Sequence, residues 1–366
     1  MPGGKFLLVM GTRPEVIKLA PVYFALREAG AEVVIINTNQ QPELTQQALD
    51  IFDLEYHHSI RPSDYHSLNE RLAHLMIYLP MQYKDYNPDF VIVQGDTTSA
   101  LAGALSAFYA GIKVAHVEAG LSSGDLSSPF PEEGHRRLIS QIASFNFAPT
   151  YTAKANLQEL GASNYHVVGN TVVDALELIQ ATPSGIDERY VLITLHRRES
   201  FGERLRGMLE AIGNLAEKYQ DVKFILSVHP NPSVRKAVYY ILNTVNIDLL
   251  DPPPDYDRWV NLMRGAYFIM TDSGGIQEEA PSFGVPVLVL REKTERWEGI
   301  HLGYSRLVGT DPERIFKAAS GLLDDKKARE AMVAKSNPYG DGQAGKRIAE
   351  ILMEAVIERE RILQAV

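Results

Sequence analysis

Short apolar runs alternate with stretches of helical period along almost the whole chain. In the first half these runs read "KFLLVMG", "EVVIIN", "FVIVQG" and "KVAHVEA", and in the second half "YVLITLH", "VKFILSVH", "AYFIMTDS" and "VPVLVLR". Each run predicts a buried β-strand, because it is short, rich in Val, Ile, Leu and Phe, and followed by small or polar residues. Strands that alternate with helices are typical of α/β proteins with parallel sheets.

The stretches between the strands predict amphipathic helices. Residues 14–30, "PEVIKLAPVYFALREAG", form one of them, with Gly30 as its expected C-cap, and residues 346–366 predict a long final helix. The segment at 181–190, "ATPSGIDERY", has no clear period and indicates a domain boundary in this region. The simplest architecture is two similar α/β halves with a cleft between them, where ligands bind at the carboxyl ends of the strands.

Composition limits the classes of partner. The length of 366 residues allows about two domains. A net charge of −10 argues against nucleic acid or an anionic membrane as the main partner. The chain has no cysteine, which excludes disulfides, thiolate catalysis and zinc–sulfur sites. With no apolar run of membrane-spanning length and no signal-peptide features, we expect a cytoplasmic protein.

The motif "TDSGGIQEEA" is the most specific signal for anion binding. A strand is expected to end at Asp272 and Ser273. Gly274 and Gly275 allow a close backbone approach, and a helix is expected to begin near Ile276. Free amides at a helix start after small residues bind phosphate readily, which we favour over a plain turn. Glu278 and Glu279, which follow, could cap the helix, or one of them could bind sugar hydroxyls.

Basic side chains follow several of the other strands. Arg13 and Lys18 stand at a helix start in "GTRPEVIK", where solvated charges are an equal alternative. His196 precedes two arginines in "LHRRESFG", and Arg296 lies in "REKTERWE". Arginine suits phosphate oxygens because its fork binds them bidentately. For His229, in "VHPNPSVR", a purely structural histidine is about as good an interpretation.

Carboxylates gather at two neighbouring strand ends. Asp96 follows "VIVQG", Glu118 ends the next strand, and Glu132 and Glu133 come after a proline-containing loop. A helix N-cap is an alternative for Asp96. Carbon-acid chemistry needs a base and an acid held near the reacting atom, and carboxylates in a closed site shift one another's pKa values. We therefore interpret the acids as proton carriers beside an anionic substrate.

Taken together, the motifs resemble a known family. The stretches "GTRPEVIKLAP", "QGDTTSA", "VEAG…GD…SPFPEE", "GNTVVDAL", "HRRESFG", "TDSGGIQEEAPSFGVPVLVLR", "TERWE" and "RLVGTD" occur in order, and "NPYGDGQA" closes the set at 337–344. The ordered set resembles the non-hydrolysing UDP-N-acetylglucosamine 2-epimerases.

The resemblance implies an α/β GT-B fold, with two Rossmann-like domains, parallel sheets and a cleft between them. It places the N-terminal domain at 1–172, joined by a returning helix at 350–366, and a UDP-binding domain at 173–349. The implied reaction inverts C2 of UDP-GlcNAc to give UDP-ManNAc, by elimination of UDP through 2-acetamidoglucal and re-addition. It needs no metal or cofactor. The family also implies a homodimer that serves cell-surface polysaccharide biosynthesis.

Site residues are carried over by position in the motifs. The acid/base group of the family falls on four residues, Asp96, Glu118, Glu132 and His196. The UDP-sugar contacts fall on seven residues, Arg13, Lys18, Ser273, Gly274, Gly275, Glu279 and Arg296. Which carboxylate is the base for which epimer stays open.

The sequence departs from the family pattern at four places. "EEGHRR" stands where Ala-Asn-Arg is common, and Trp297 replaces a commoner proline in "TERWE". "TNQQPEL" replaces a common Gln-His-Arg, and Ser122 stands where an arginine is usual. These neighbourhoods help to bind a second, activating UDP-GlcNAc in many members, and Gln40 and His229 remain as possible allosteric contacts.

Several alternatives stay open. They are a hydrolysing 2-epimerase that releases UDP and ManNAc, and a 2-epimerase of a related nucleotide sugar. A glycosyltransferase is disfavoured, because no acceptor substrate is needed to explain the carboxylate cluster. A binding-only nucleotide-sugar sensor is disfavoured, because all four acid/base positions are present.

Overall fold

The computed structural model describes residues 3–195, 202–242, 247–251 and 255–364. Its backbone contacts divide the chain into two compact units. Unit 1 comprises Met1–Leu178 and Tyr339–Val366, and unit 2 comprises Ile179–Pro338. The domain boundaries expected from the sequence, after residue 172 and before residue 350, stay predictions.

Unit 1 is built on a parallel sheet of seven strands. They are β1 Lys5–Met10, β2 Glu32–Asn37, β3 His58–Ser59, β4 Phe90–Gln94, β5 Lys113–Val117, β6 Phe145–Ala148 and β7 Tyr165–Val167. Their order in the sheet is β3-β2-β1-β4-β5-β6-β7, and β1 therefore lies beside β4, which in turn lies beside β5. The turns after these three strands meet at one edge of the sheet, because the strands are parallel.

Six helices connect the strands of unit 1, and a seventh follows β7. They are α1 Arg13–Glu28, α2 Pro42–Ile51, α3 Leu68–Tyr86, α4 Thr98–Tyr109, α5 Glu132–Ile142, α6 Tyr151–Glu159 and α7 Thr171–Leu178. The C-cap of α1 is Ala29 rather than Gly30. Gly30 is the next residue, with φ +83°, and it lets the backbone N–H of Ala31 reach the carbonyl of Leu26 at 3.0 Å.

Unit 2 repeats the pattern with six parallel strands. They are β8 Tyr190–Thr194, β9 Lys223–Ser227, β10 Ile247–Leu250, β11 Phe268–Thr271, β12 Val287–Val289 and β13 Ser305–Leu307, in the order β10-β9-β8-β11-β12-β13. Its helices are α8 Glu203–Lys218, α9 Pro232–Ile241, α10 Tyr256–Gly265, α11 Gly274–Glu279, α12 Trp297–His301, α13 Pro312–Asp324 and α14 Lys326–Glu330, with a 3₁₀ turn at Ala280–Phe283.

The last helix, α15 Ala344–Gln364, follows unit 2 in the chain and packs in unit 1 against α1 and α7. Its side chains Ile348, Leu352 and Val356 are buried. Gly345 lies so close to Pro21 of α1 that a Cβ there would come within 2.8 Å of the Pro21 backbone. The helix therefore completes the apolar core of unit 1.

Each of the eight apolar runs identified in the sequence contains a strand in the structure. The runs are buried on both faces because helices cover both sides of each parallel sheet. No helix in the described part of the chain is long and apolar enough to cross a membrane.

Candidate active site

Glu118 and Lys18 form a buried ion pair at the carboxyl edge of the unit 1 sheet. Glu118 is the residue after β5, and its φ of +61° is uncommon for a residue with a Cβ. The ammonium group of Lys18, on the second turn of α1, donates to Oε2 of Glu118. The two side chains are only 12% and 7% exposed. A pair this well shielded holds its geometry better than a surface pair does, because few waters compete for it.

Asp96 is paired in the same way with Arg136. The Nη2 group of Arg136 donates to Oδ2 of Asp96, and Nη1 donates to the backbone carbonyl of Glu118 at 2.8 Å. Burial raises the pKa of Asp96, but the charge and hydrogen bond of Arg136, with Lys18 and His116, outweigh it and leave the pKa below its usual range. Arg136 thus connects the two strand ends that carry the acids.

The alternative role of Asp96 as a helix cap is wrong. The hydroxyl of Thr97 caps α4 instead, accepting from the backbone N–H of Ala100 at 3.0 Å. The Asp96 carbonyl oxygen accepts from Nδ1 of His135 at 2.9 Å. The side chain of Asp96 is therefore not committed to the helix end.

His116 supports the Asp96 turn from inside the sheet. It is fully buried, and its Nε2 donates to the carbonyl of Gly95 at 2.8 Å. Burial lowers the pKa of His116 to about 4, so the ring is neutral near pH 7. A neutral ring can donate from Nε2 while Nδ1 faces the hydroxyl of Ser140 at 3.3 Å.

The two glutamates at the start of α5 have different surroundings. Glu132 is the first residue of the helix and is partly exposed. Glu133 is buried and accepts from the hydroxyl of Ser122 at 2.6 Å, the backbone N–H of Ser123 at 3.0 Å and Nε of Arg137 at 2.7 Å. Burial raises the pKa of Glu133, but these hydrogen bonds and the charge of Arg137 outweigh burial and leave the pKa below its usual value. Ser122, one of the departures from the family pattern, thus anchors the loop before α5.

Glu15 is a buried acid that the sequence reasoning missed. It lies in α1 between Arg13, the partly buried first residue of the helix, and Lys18. Burial raises the pKa of Glu15 to about 7, against hydrogen bonds from Thr97, Gly11 and Thr12 that lower it. The sequence signal that could have found it is the capping box formed by Thr12 and Glu15.

In unit 2, Arg296 lies directly against the glycine turn after β11. The short helix α11 begins at Gly274, two residues before the predicted start near Ile276, with Ser273 as its N-cap residue. A Cβ on Gly274 would lie 3.0 Å from Cζ of Arg296, so a larger residue there would press on the guanidinium. Nε of Arg296 donates to Glu278 at 2.9 Å. The free amides and the guanidinium together suit an anion.

The other polar residues around this turn hold its shape. Nε2 of Gln277 donates to the carbonyl of Ser273 at 2.9 Å, and the hydroxyl of Thr294 donates to Gln277 at 2.8 Å. The carboxylate of Glu279 accepts from the hydroxyl of Tyr256 at 3.0 Å. Tyr256 comes from α10, which is too far along the chain for the sequence motif to indicate it.

The remaining predicted residues are placed as follows. Oε1 of Gln40 accepts from the backbone N–H and the hydroxyl of Ser99, at 3.1 and 2.8 Å, and Nδ1 of His229 accepts from the backbone N–H of Asn231 at 3.1 Å. His196 lies outside the described residues. Among the described residues, no group of three or more His, Asp or Glu side chains is arranged to hold a metal ion.

Two parallel sheets, each with polar residues at its strand ends, define an α/β protein of the GT-B class, as solved relatives confirm. The family model for UDP-N-acetylglucosamine 2-epimerase matches residues 25–353. The chain belongs to the UDP-N-acetylglucosamine 2-epimerase family.

The chain is similar to characterised and solved members over nearly its whole length. It is 42% identical over 370 residues to UDP-N-acetylglucosamine 2-epimerase of Escherichia coli K12, which covers 95% of this chain and 98% of that protein. The Neisseria meningitidis UDP-GlcNAc 2-epimerase bound to UDP-GlcNAc superposes with a TM-score of 0.89 and is 39% identical, covering 96% of this chain and 100% of the other. The Methanocaldococcus jannaschii UDP-GlcNAc 2-epimerase in complex with UDP-GlcNAc and UDP superposes with a TM-score of 0.80. It is 35% identical and covers 96% of this chain and 99% of the other.

Proposed function

We propose that this protein inverts C2 of UDP-GlcNAc to give UDP-ManNAc, as an isomerase that does not release free sugar. The observation that carries the proposal is the pairing of Asp96 with Arg136 and of Glu118 with Lys18, at neighbouring strand ends in a chain of this family. Both acids are held where a substrate at the sheet edge can meet them.

The reaction proceeds in two halves. In the first, a base takes the proton from C2, the C1–C2 double bond of 2-acetamidoglucal forms, and the C1–O bond breaks so that UDP leaves with the electron pair. In the second, a phosphate oxygen of UDP bonds again to C1 and an acid protonates C2 on the opposite face. We assign the proton carriers to Asp96, Glu118, Glu132 and His196. The lowered pKa of Asp96 supports its ionised form near pH 7 as a proton acceptor.

Departure of UDP requires that its developing charge be stabilised. Two groups of residues are proposed to bind the UDP-sugar, Arg13 and Lys18 in unit 1 and Ser273, Gly274, Gly275, Glu279 and Arg296 in unit 2. The turn at Gly274 supplies free amides and Arg296 supplies a cation next to them, which supports diphosphate binding. Tyr256 orients Glu279, whose carboxylate can accept from ribose hydroxyls.

A homodimer is proposed on the strength of exposed apolar side chains. Ile77 and Met81 of α3 are 64% and 56% exposed, and Phe108 at the end of α4 is 52% exposed. The two helices lie side by side, since the hydroxyl of Ser106 is 3.2 Å from the sulfur of Met76. Light scattering on wild type and Met81→Lys tests whether this face is an interface, since a charge there would shift a dimer toward monomer.

A cytoplasmic location and an activating nucleotide-sugar site near Gln40 and His229 stay predictions. The hydrogen bonds of Gln40 with Ser99 support a structural role for its carbonyl oxygen.

The deciding experiment is an NMR time course with UDP-GlcNAc in deuterated water. Deuterium at C2 of a UDP-sugar, together with UDP-ManNAc and no free ManNAc, is the expected result. Free ManNAc with UDP would identify the hydrolysing reaction instead. Binding of UDP without exchange or product would favour a related nucleotide sugar as substrate, or a protein that only binds.

A further inference from the structure

The carboxylate of Glu15 joins two turns at the sheet edge of unit 1. Oε2 accepts from the backbone N–H groups of Gly11 and Thr12, both at 2.8 Å, and from the hydroxyl of Thr12 at 2.9 Å. Oε1 accepts from the hydroxyl of Thr97, 82 residues further along the chain. The first turn leads from β1 into α1, and the second leads from β4 into α4 and contains Asp96.

The direction of these hydrogen bonds requires an acceptor at position 15. Backbone N–H groups can only donate. The hydroxyl of Thr12 accepts from the backbone N–H of Glu15 in the capping box, and that of Thr97 accepts from Ala100 at 3.0 Å, so each hydroxyl proton is available to the carboxylate. All four donors are uncharged. A capping box needs only the contacts with Thr12, and the contact with Thr97 is therefore additional.

We propose that Glu15 is a positioning residue for the epimerase reaction, because it fixes the Asp96 turn to the start of the helix that carries Lys18. The inference rests on the proposed function, in which Asp96 and Glu118 transfer protons. Glu15 reaches Asp96 through its chain neighbour Thr97, and Lys18 lies three residues after Glu15 and holds Glu118. We call the hydrogen bonds that Glu15 makes to these two turns the Glu15 joint. If the two turns shifted relative to each other, both acids would move relative to the substrate, and displacements of about 1 Å can cost about 100-fold in rate.

Ionisation of Glu15 should control this joint. The pKa of Glu15 is raised to about 7 by burial, so the group takes up a proton as the pH falls through neutrality. A protonated carboxyl has a donor in place of one acceptor and must break or reverse one of its contacts. Glu15→Gln mimics the protonated form, because its Nε2 can only donate.

Wild type and variants should therefore differ in their pH profiles. We expect the kcat of wild type to fall as the pH is lowered through about 7, and that of Glu15→Gln to stay at the low value throughout. At about pH 8 the variant should be at least tenfold slower, with KM changed less than threefold. Other titratable groups around the two turns are retained in the variant: Lys18, Asp96, His116, Glu118, His135 and Arg136.

The experiment compares kcat and KM from about pH 6 to pH 9 in Glu15→Gln, Thr97→Val, Thr97→Ser and wild type. Thr97→Ser keeps the hydroxyl and should retain most of the wild-type rate, whereas Thr97→Val should not. Tyr83→Phe is the matched control, because it removes a buried hydrogen bond to Gly103 (2.9 Å) elsewhere in unit 1 and should leave the profile unchanged. If Glu15→Gln does not fold, the comparison of kcat between Thr97→Val and Thr97→Ser tests the proposal instead.

A profile of Glu15→Gln or of Thr97→Val that matches wild type in kcat and shape would overturn the proposal. A second readout separates it from the proposed function. In protein labelled with ¹³C at aspartate Cγ, the Asp96 signal, assigned with Asp96→Asn, should shift and titrate differently in Glu15→Gln. An unchanged Asp96 titration refutes the positioning role even if no epimerisation is found, whereas an altered titration in a protein without activity would count against the proposed function alone.

Discussion

The guanidinium of Arg136 donates to the carboxylate of Asp96 across 40 residues of sequence. Because its other nitrogen contacts the main chain at Glu118, one side chain ties together two acids that follow neighbouring strands. A free carboxylate in such a shielded place would be costly, and the cation keeps the pKa of Asp96 low despite its burial. The acids are thus both paired and held at the sheet edge.

Loss of the carboxylate of Asp96 or Glu118 should abolish turnover but leave the binding of UDP largely unchanged. We expect Asp96→Asn and Glu118→Gln each to lower kcat by about 100-fold or more, since general acid–base groups contribute about 10²–10⁴-fold. Binding of UDP, measured by calorimetry, should stay within about threefold of wild type, because the phosphate contacts are proposed to involve other residues. Near-normal epimerisation in either variant would remove that residue from the proton-carrier group.

Arg296→Gln should weaken UDP binding. Loss of a charged hydrogen bond to phosphate costs about 1.5–3 kcal/mol, which corresponds to a Kd about 10–100-fold higher by calorimetry. The variant should also unfold at lower temperature, because Glu278 is 1% exposed and loses this ion pair.

Arg189→Gln is the control for this prediction, since Arg189 pairs with exposed Asp221 in the same unit at 2.9 Å. An unchanged Kd for Arg296→Gln would show that the guanidinium does not contact the diphosphate.

Gly120→Ala should be strongly destabilising. Gly120 has φ +83°, and a Cβ there would lie 2.2 Å from the carbonyl oxygen of Ala153. The left-handed conformation costs about 1–2 kcal/mol and the overlap adds to it, so we expect a loss of about 3 kcal/mol or more in the free energy of unfolding by urea.

Gly111→Ala separates the two causes, because Gly111 has φ +72° but open space around its Cα. It should lose only the conformational part. Equal losses in the two variants would mean that the contact with Ala153 relaxes at little cost.

The buried carboxyl of Asp174 should make stability depend on pH in the direction opposite to that of a paired acid. Burial, with Glu177 and Asp341 nearby, raises its pKa from 3.8 to about 6, although the backbone N–H of Gly345 donates to it. The folded state therefore holds the proton more tightly. The protonated carboxyl of Asp174 therefore stabilises the folded state fully below about pH 4. This contribution to the free energy of unfolding, up to about 3 kcal/mol, is lost as the pH rises through about 6.

Urea unfolding of wild type and Asp174→Asn from about pH 4 to pH 8 measures this effect. The difference in unfolding free energy between the two proteins should change through that window and be constant above it. A difference that is the same at every pH would show that Asp174 has an ordinary pKa.

The strands and the chemistry at their ends could be predicted because both are local in sequence. A parallel strand buried on both faces is a continuous apolar run, and the residues that follow it reach the ligand edge of the sheet. Five strands of the described residues were not predicted, namely β3, β6, β7, β10 and β13. The short strands β3 and β7 contain His58, Ser59, Tyr165 and His166 and therefore make no such run. Their place is set by pairing with β2 and β6.

The support of the site depends on contacts between distant segments, which a single sequence does not reveal. Arg136 and Tyr256 become visible as partners of Asp96 and Glu279 only when the chain is folded. Glu15 was hidden for another reason. Its pattern also fits an ordinary helix cap, and only the contact with Thr97 distinguishes the two roles.

The return of α15 to unit 1 has a consequence for synthesis on the ribosome. Unit 2 emerges from the ribosome before α15 does, so its whole segment is available to fold while unit 1 still lacks Ile348, Leu352 and Val356. Domains commonly fold as units during translation, the N-terminal one first. Here the first unit to begin is the last to be completed, and the face of α1 that α15 covers stays exposed until the end of the chain is made.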